Sequence, residues 1–411
     1  MHLTNNEREV LTELAKKYME IAVLPVHKEK LHLWKKLNAN SMERPMVLID
    51  QLPWNELDIE PCVIADPYWR ELEENLRQTI YKWENFPADM IVEPFLTIPS
   101  VCKVSRYGLN ISEDTIKKGS MDTISSHHYK NQLVNEDDIE KIKDIEISVD
   151  FDAAKLRYQE ADSMFSGIAP VVLEHGIQFH LGQWDFISQF MGVEDIYFDL
   201  LDRPEFIHKI LERITEATLN GIETANKLNF HNDIAQACHC SYTYNDSTLP
   251  DFNKGLGGLS KNSWAYGMAQ LFTSVSPDTT EEFEIPYISK IAEKFGMIYY
   301  GCCERLDNRI ELIKKIPNLK KISCSPWSKK EIFCQKIGKD FTASFKPIPA
   351  FLADVSLSEE KIRDDLRESV SYAKTNNVNA EFILKDVSTV NNSPERIKIW
   401  NKIAMEVMEN Y

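Results

Sequence analysis

The sequence lacks any apolar run approaching the ~20 residues that a membrane span requires. Its first ten residues, MHLTNNEREV, hold no apolar stretch of the secretory kind. A membrane partner is therefore not expected, and the chain is expected to be cytoplasmic. Cysteine is scarce, with 8 in 411 residues, too few for a disulfide scaffold, so the thiols should be reduced. Basic charge is also in deficit: 47 Lys and Arg face 64 Asp and Glu, a net charge of −17. That balance argues against nucleic acid, which needs basic patches to neutralise phosphate. Low-complexity segments, convincing short repeats and a Gly-rich phosphate loop of the dinucleotide type are absent too.

What is present is an ordinary globular composition, 43% hydrophobic and 27% charged. Thr4 and Glu7 form a capping box that opens a helix with Val10, Leu11, Leu14, Tyr18 and Met19 on one stripe. Up to about residue 90 the patterns are helical with few strand signals, which predicts an N-terminal helical extension, 1–90, packed on a domain of residues 91–411. The charged stretch 136–147 reads as a solvated helix or loop, and His127 and His128 as surface residues.

Past residue 165 the chain alternates. Strands are expected at Ala169–Leu173, Asp233–Ala237, Met297–Tyr300, Leu319–Ser323, Phe341–Phe345 and Phe382–Leu384. Helices are expected from Asp202 and Pro204, over 279–295, near 307–316, from Ser328 to Gly338, from Ser358, and from Ser393 and Pro394. This spacing favours α/β architecture with a parallel sheet, closed as a (β/α)8 TIM barrel rather than open and doubly wound.

In such a barrel the active site lies at the C-terminal ends of the strands. Four unusual segments fall there: Cys238-His239-Cys240, Cys302-Cys303-Glu304, Cys324 and Lys385-Asp386. Thiolates with a carboxylate or imidazole suit zinc, so Cys302, Cys303, Glu304 and Cys324 are candidate ligands. Buried inert thiols are the competing reading. His239 is a further ligand, a catalytic or substrate contact, or a core histidine. Asp386 completes a metal sphere, orients substrate or is a structural carboxylate, and Glu304 is a catalytic candidate as well. Trp184, Tyr242, Tyr244, Trp264 and Tyr266, with Met268 and Gln270, make a candidate substrate pocket of mixed apolar and hydrogen-bonding character.

Two blocks add a resemblance. GQWDFISQFMGVEDIYFDLLDRPEFIHKIL (182–211) pairs a short helix with a D-x-P-E helix start. SVSPDTTEEFEIPYISKIAEKFG (274–296) carries S-P and, at Pro286-Tyr287, P-Y, with Glu282 near the place of a frequent aromatic. From about residue 165 onward the chain thus resembles the uroporphyrinogen decarboxylase superfamily. The Arg-Gln-Ala-Gly-Arg-Tyr signature of the decarboxylase itself has no counterpart; Arg8 and Arg44 stand in unrelated contexts. The methyltransferase branch is more similar. Its zinc is held by a His-x-Cys at the strand end that here reads IYYGCCE, plus a later cysteine. Cys302 takes the cysteine place and Tyr300 stands where the histidine would be. Cobalamin-independent methionine synthases, on a related barrel, draw ligands from this strand end, the next and the last, the places of Cys302, Cys324 and Asp386.

The resemblance implies an enzyme of one-carbon metabolism that moves a methyl group between a small-molecule donor or acceptor and a corrinoid protein. Zinc would act as Lewis acid. Metal-independent decarboxylation of a porphyrinogen-like acid, and a non-catalytic ligand-binding barrel, are the alternatives. A homodimer is a further open expectation.

Overall fold

The computed structural model describes residues 3–116, 126–174, 176–232, 236–245 and 258–411. Its centre is a six-stranded sheet in which every neighbouring pair is parallel. We number the eight parallel strands in chain order: β1 Met46–Ile49, β2 Leu96–Pro99, β3 Val171–Glu174, β4 Trp264–Gly267, β5 Met297–Tyr300, β6 Leu319–Cys324, β7 Thr342–Phe345 and β8 Asn379–Leu384. The six-stranded sheet runs β1-β8-β7-β6-β5-β4, so the first strand pairs with the last, while β2 and β3 form a separate parallel pair. Both edges of the large sheet carry further backbone bonds. Asp89 N–H donates to Val47 O on one side, and Leu181 N–H donates to Tyr266 O on the other. The architecture is α/β, and among the described residues the eight strands do not form one continuous hydrogen-bonded ladder.

The expected helical extension contains a strand. β1 is a four-residue apolar run, MVLI, and every residue in it is buried. A strand covered on both faces shows no alternation, which hides it within a helical neighbourhood. The helices Asn5–Ala22, Val26–Asn38 and Pro67–Asn85 surround it in sequence. Thr4 and Glu7 do form the capping box. Trp34, from the second helix, is fully buried and donates to Asp89 O at 2.9 Å.

Alternation along the strands sorts side chains between two faces. The outer face packs on helices through one large core that includes Ile298, Tyr300, Ile322, Cys324, Ala343, Phe345, Phe382 and Leu384. Pro204–Lys227 is the longest of those helices, with Ile207, Ile210, Leu211 and Ile214 buried. The inner face holds Met46, Leu48, Trp264, Tyr299 and Ile383 in a second cluster with Trp34. Strands from both edges of the sheet thus contribute to one interior. Within it Lys321 and Glu381 form an ion pair of 2.7 Å with almost no exposure, and Ser241 accepts from the same ammonium at 2.6 Å.

Most expected elements appear within a few residues of their places. The helix over 279–295 is divided into Pro277–Phe283 and Ile285–Ala292. The helix near 307–316 shrinks to Ile310–Ile313. Ser358 caps its helix, accepting from Lys361 N–H, whereas Ser328 instead meets Ser325 and the next helix starts uncapped at Lys330. The charged stretch becomes a 3-10 helix, Glu136–Lys141, and a short strand, Ile147–Val149. Of the expected strand at Asp233–Ala237, residues 233–235 lie outside the described residues; Ala237–Cys238 pairs with Ser241–Tyr242. Among the described residues no helix is long and apolar enough to cross a membrane.

Candidate functional site

β5 ends at Tyr300 and the chain turns at Gly301, whose φ is +97°. A Cβ there would stand 2.7 Å from Leu306 Cδ1, so the turn requires glycine. The turn delivers Cys302 and Cys303 to the rim, and Ser323, from β6, holds it by donating to Cys302 O at 2.8 Å. Glu304 folds back beneath. Its carboxylate accepts from Cys302 N–H at 2.7 Å and from Ala269 N–H at 3.2 Å. Burial pushes its pKa up to about 7 against those donors.

From the end of β8 comes Lys385, whose Nζ lies 3.3 Å from Cys302 Sγ. Cys303 Sγ lies 3.5 Å from both Cys302 Sγ and Asp386 Oδ2, and its single S–H donates to one of the two at a time. Asp386 sits at φ +56° and is also 3.6 Å from Lys385 Nζ. Hydrogen bonding from Cys303 holds the Cys302 thiol well below its usual range, and Lys385 and His239 add to the effect against burial. Cys303 is pushed up, because a thiolate stands beside it.

His239 adopts φ +58°, and its Nε2 is buried without a hydrogen-bond partner among the described residues. Burial disfavours its proton, but the sulfurs of Cys240 and Cys302 outweigh that and raise its pKa to about 9. Its ring stacks on Tyr266 at 5.2 Å, and His180 stacks on the same Tyr266 at 4.8 Å. His180 Nε2 is 3.6 Å from Asp185 Oδ2, which also accepts from Gln270 at 3.3 Å. Burial lowers His180 to about 4 and raises Asp185 to about 6. Gln270 reaches Met268 Sδ at 3.5 Å. Below lies Lys346, buried, donating to Tyr299 Oη and Ser344 Oγ at 2.6 Å each. Among the described residues it has no ion-pair partner.

The structure brings together Cys302, Cys303, His239, Asp386 and Tyr266, with Met268 and Gln270 at one side. It separates others. Cys324 shares the outer face of β6 with Ile322, while Lys321 and Ser323 point inward, so this thiol sits in the helix-packed core beside Cys334. Glu304 is occupied by backbone N–H groups rather than open as a ligand or acid. Trp184 is fully buried and packs on Phe272 at 4.6 Å, a core role. Trp264 and Tyr242 lie deeper: Lys321 Nζ is 5.9 Å from the Trp264 ring, and Tyr242 Oη accepts from Ile91 N–H. Tyr244 donates to Glu93 at 2.6 Å. Tyr300, in the place of the histidine, faces outward and donates to Glu284 at 3.0 Å.

Zinc was expected on Cys302, Cys303, Glu304 and Cys324. Those four do not come together as a set: Cys324 faces away, Glu304 is taken by backbone N–H groups, and the Lys385 ammonium lies 3.3 Å from the Cys302 sulfur. Among the described residues no group of three or more His, Cys, Asp and Glu stands ready to hold a metal ion. Sequence reasoning missed His180, Asp185 and Lys346, and flagged Lys385 without a role. His180-Leu-Gly-Gln-Trp-Asp185 did carry a signal, an imidazole just before a helix and a carboxylate in its first turn.

No protein-family model matches the chain, and no curated protein matches it. Among solved structures, one that it resembles is a methyltransferase from Methanosarcina mazei, at 11% identity and a TM-score of 0.49, covering 91% of this chain and 97% of that one.

Proposed function

We propose that this chain is an enzyme that transfers a methyl group between a small molecule and a corrinoid protein, on a (β/α)8 barrel closed through β2 and β3. The observation that carries the reading is the buried Cys302 sulfur, 3.3 Å from the Lys385 ammonium at the strand-end rim. A sulfur kept charged in a buried place is a reactive group rather than a packing one. The pairing of first strand with last supports closure.

Each residue has a part in that chemistry. Lys385 and Cys303 keep Cys302 deprotonated. His239, protonated near neutral pH, faces the same sulfur and donates a proton to the oxygen, nitrogen or sulfur that loses the methyl group. Tyr266, Met268 and Gln270 wall the small molecule. Glu304 and Gly301 set the turn that presents the thiol. For zinc to join this site, Lys385 would have to withdraw and His239 close on Cys302 and Cys303; metal analysis of the purified protein decides that point.

The test is formation of methyl-corrinoid from methoxylated aromatics, methylamines or methyl thiols. Cys302→Ala should abolish turnover with little change in melting temperature. If no methyl donor gives turnover with any corrinoid partner, the reading fails. One observation favours the second reading, decarboxylation of an organic acid without metal: Lys346, Lys385 and protonated His239 line one interior and would hold a carboxylate. Release of CO2 from a polycarboxylic acid, unaffected in Cys302→Ala, would favour it.

A further inference from the structure

A cleft of about 500 Å³ opens beside the end of β3, lined by Thr97, Glu174, Gln178, Asn232, Gln236 and Tyr242 among others. It shares no residue with the Cys302 group. Its floor is built by two backbone passages that lock together. Ile177 N–H donates to Phe230 O, and Asn232 N–H donates to Ile177 O, both at 3.0 Å. Gly176, at φ +110°, makes the approach possible, since a Cβ there would lie 2.4 Å from the carbonyl carbon of His231.

Asn232 is only 7% exposed. Its amide nitrogen donates to Glu174 Oε1, yet its Oδ1 is buried without a partner among the described residues. A buried carbonyl oxygen left unpaired is costly, so an acceptor presented to a cleft is a place for a ligand donor. Gln178 lines the same cleft and donates to Ala237 O at 2.8 Å. Burial raises the pKa of Glu174 against the Asn232 bond. Among the described residues no Lys, Arg or His lines the cleft, so they offer an anion no opposite charge.

We propose that this cleft binds a neutral polyol, a sugar or cyclitol, through Asn232, Gln178, Gln236 and Glu174, with the Tyr242 ring as one wall. Each hydroxyl of such a ligand both donates and accepts, which matches side-chain amides that carry one group of each kind. A cavity of this size accommodates one sugar ring or two.

The experiment is calorimetric titration of the full chain with glucose and with myo-inositol. Glucuronate and choline serve as anionic and cationic controls. The expected result is saturable binding of at least one neutral polyol, with glucuronate weaker by about tenfold. Asn232→Leu should weaken the polyol by about tenfold, the effect of one lost hydrogen bond at a buried acceptor. Because Asn232 also braces Glu174, Gln178→Leu and Gln236→Ala are tested beside it; each should weaken binding while the melting temperature holds. Absence of saturable polyol binding, tighter binding of choline or glucuronate, or unchanged affinity in all three variants would overturn the proposal. No turnover is needed, so the result stands apart from the methyl-transfer reading.

Discussion

Lys385 and Cys302 are 83 residues apart in the chain, yet the lysine ammonium lies 3.3 Å from the cysteine sulfur. Both side chains are buried, at 3% and 6% exposure. Parallel strands that end on one rim bring them together. A buried ammonium and a thiolate each lower the cost of the other's charge, and the pKa of Lys385 is correspondingly raised, Cys240 and Cys302 outweighing burial.

Removing that ammonium should therefore make Cys302 a weaker acid. In Lys385→Met the apparent pKa of the Cys302–Cys303 pair should rise by about one unit, so the pH profile of iodoacetamide alkylation at Cys302 should move up by about one unit. Peptide mass spectrometry after timed alkylation reads the rate at each thiol. An unchanged pH profile would mean that Cys303 alone sets the ionisation.

Glu304 is tied to stability before chemistry. Glu304→Ala strands two buried N–H groups, those of Cys302 and Ala269, at a cost of about 1–3 kcal/mol each. Glu304→Gln keeps one acceptor oxygen and should lose less. Thermal melts of the two variants give the order. Equal melting temperatures for wild type and Glu304→Ala would contradict the bonds described.

Glu284 is fully buried against Tyr300 Oη, and burial raises its pKa to about 8. A carboxyl raised in the folded state stabilises it fully below the unfolded pKa, and that contribution is lost as pH rises through the folded value. The melting temperature should thus fall from about pH 4.5 to pH 8 and level off above that. Glu284→Gln cannot ionise, and its melting curve should show a shallower fall over the same interval. A slope identical to wild type would place the pH dependence elsewhere.

The Lys321–Glu381 pair is almost free of solvent on both sides. Lys321→Met should cost about 3–5 kcal/mol, because it leaves the Glu381 charge buried and unpaired. The double variant Lys321→Met, Glu381→Leu should regain most of that loss, measured by denaturant unfolding. If the double variant is as unstable as the single one, the pair contributes more than the cancellation of its own desolvation.

Local signals were legible from the chain alone. Thr4 and Glu7 cap a helix because their bonds span three residues. Met297–Tyr300 reads as a strand because its apolar run ends in a glycine turn. The same local chemistry placed Cys302, Cys303 and Asp386 at strand ends. What lay beyond reach was which face each residue takes. Cys324 and Ser323 are adjacent and differ only in parity, and parity has meaning only once a sheet has an inside. That choice turned Cys324 toward the helices and removed it from the zinc set. The partnerships of Lys385 with Cys302, and of His180 and His239 with Tyr266, join residues 27 to 86 positions apart; no local rule selects them. Sequence by itself determined the elements and the rim on which reactive groups stand, because those follow from short-range hydrogen bonding and hydrophobic period. Only the tertiary structure decided which of those groups meet, because contact across a parallel sheet depends on register and on the facing of every strand between.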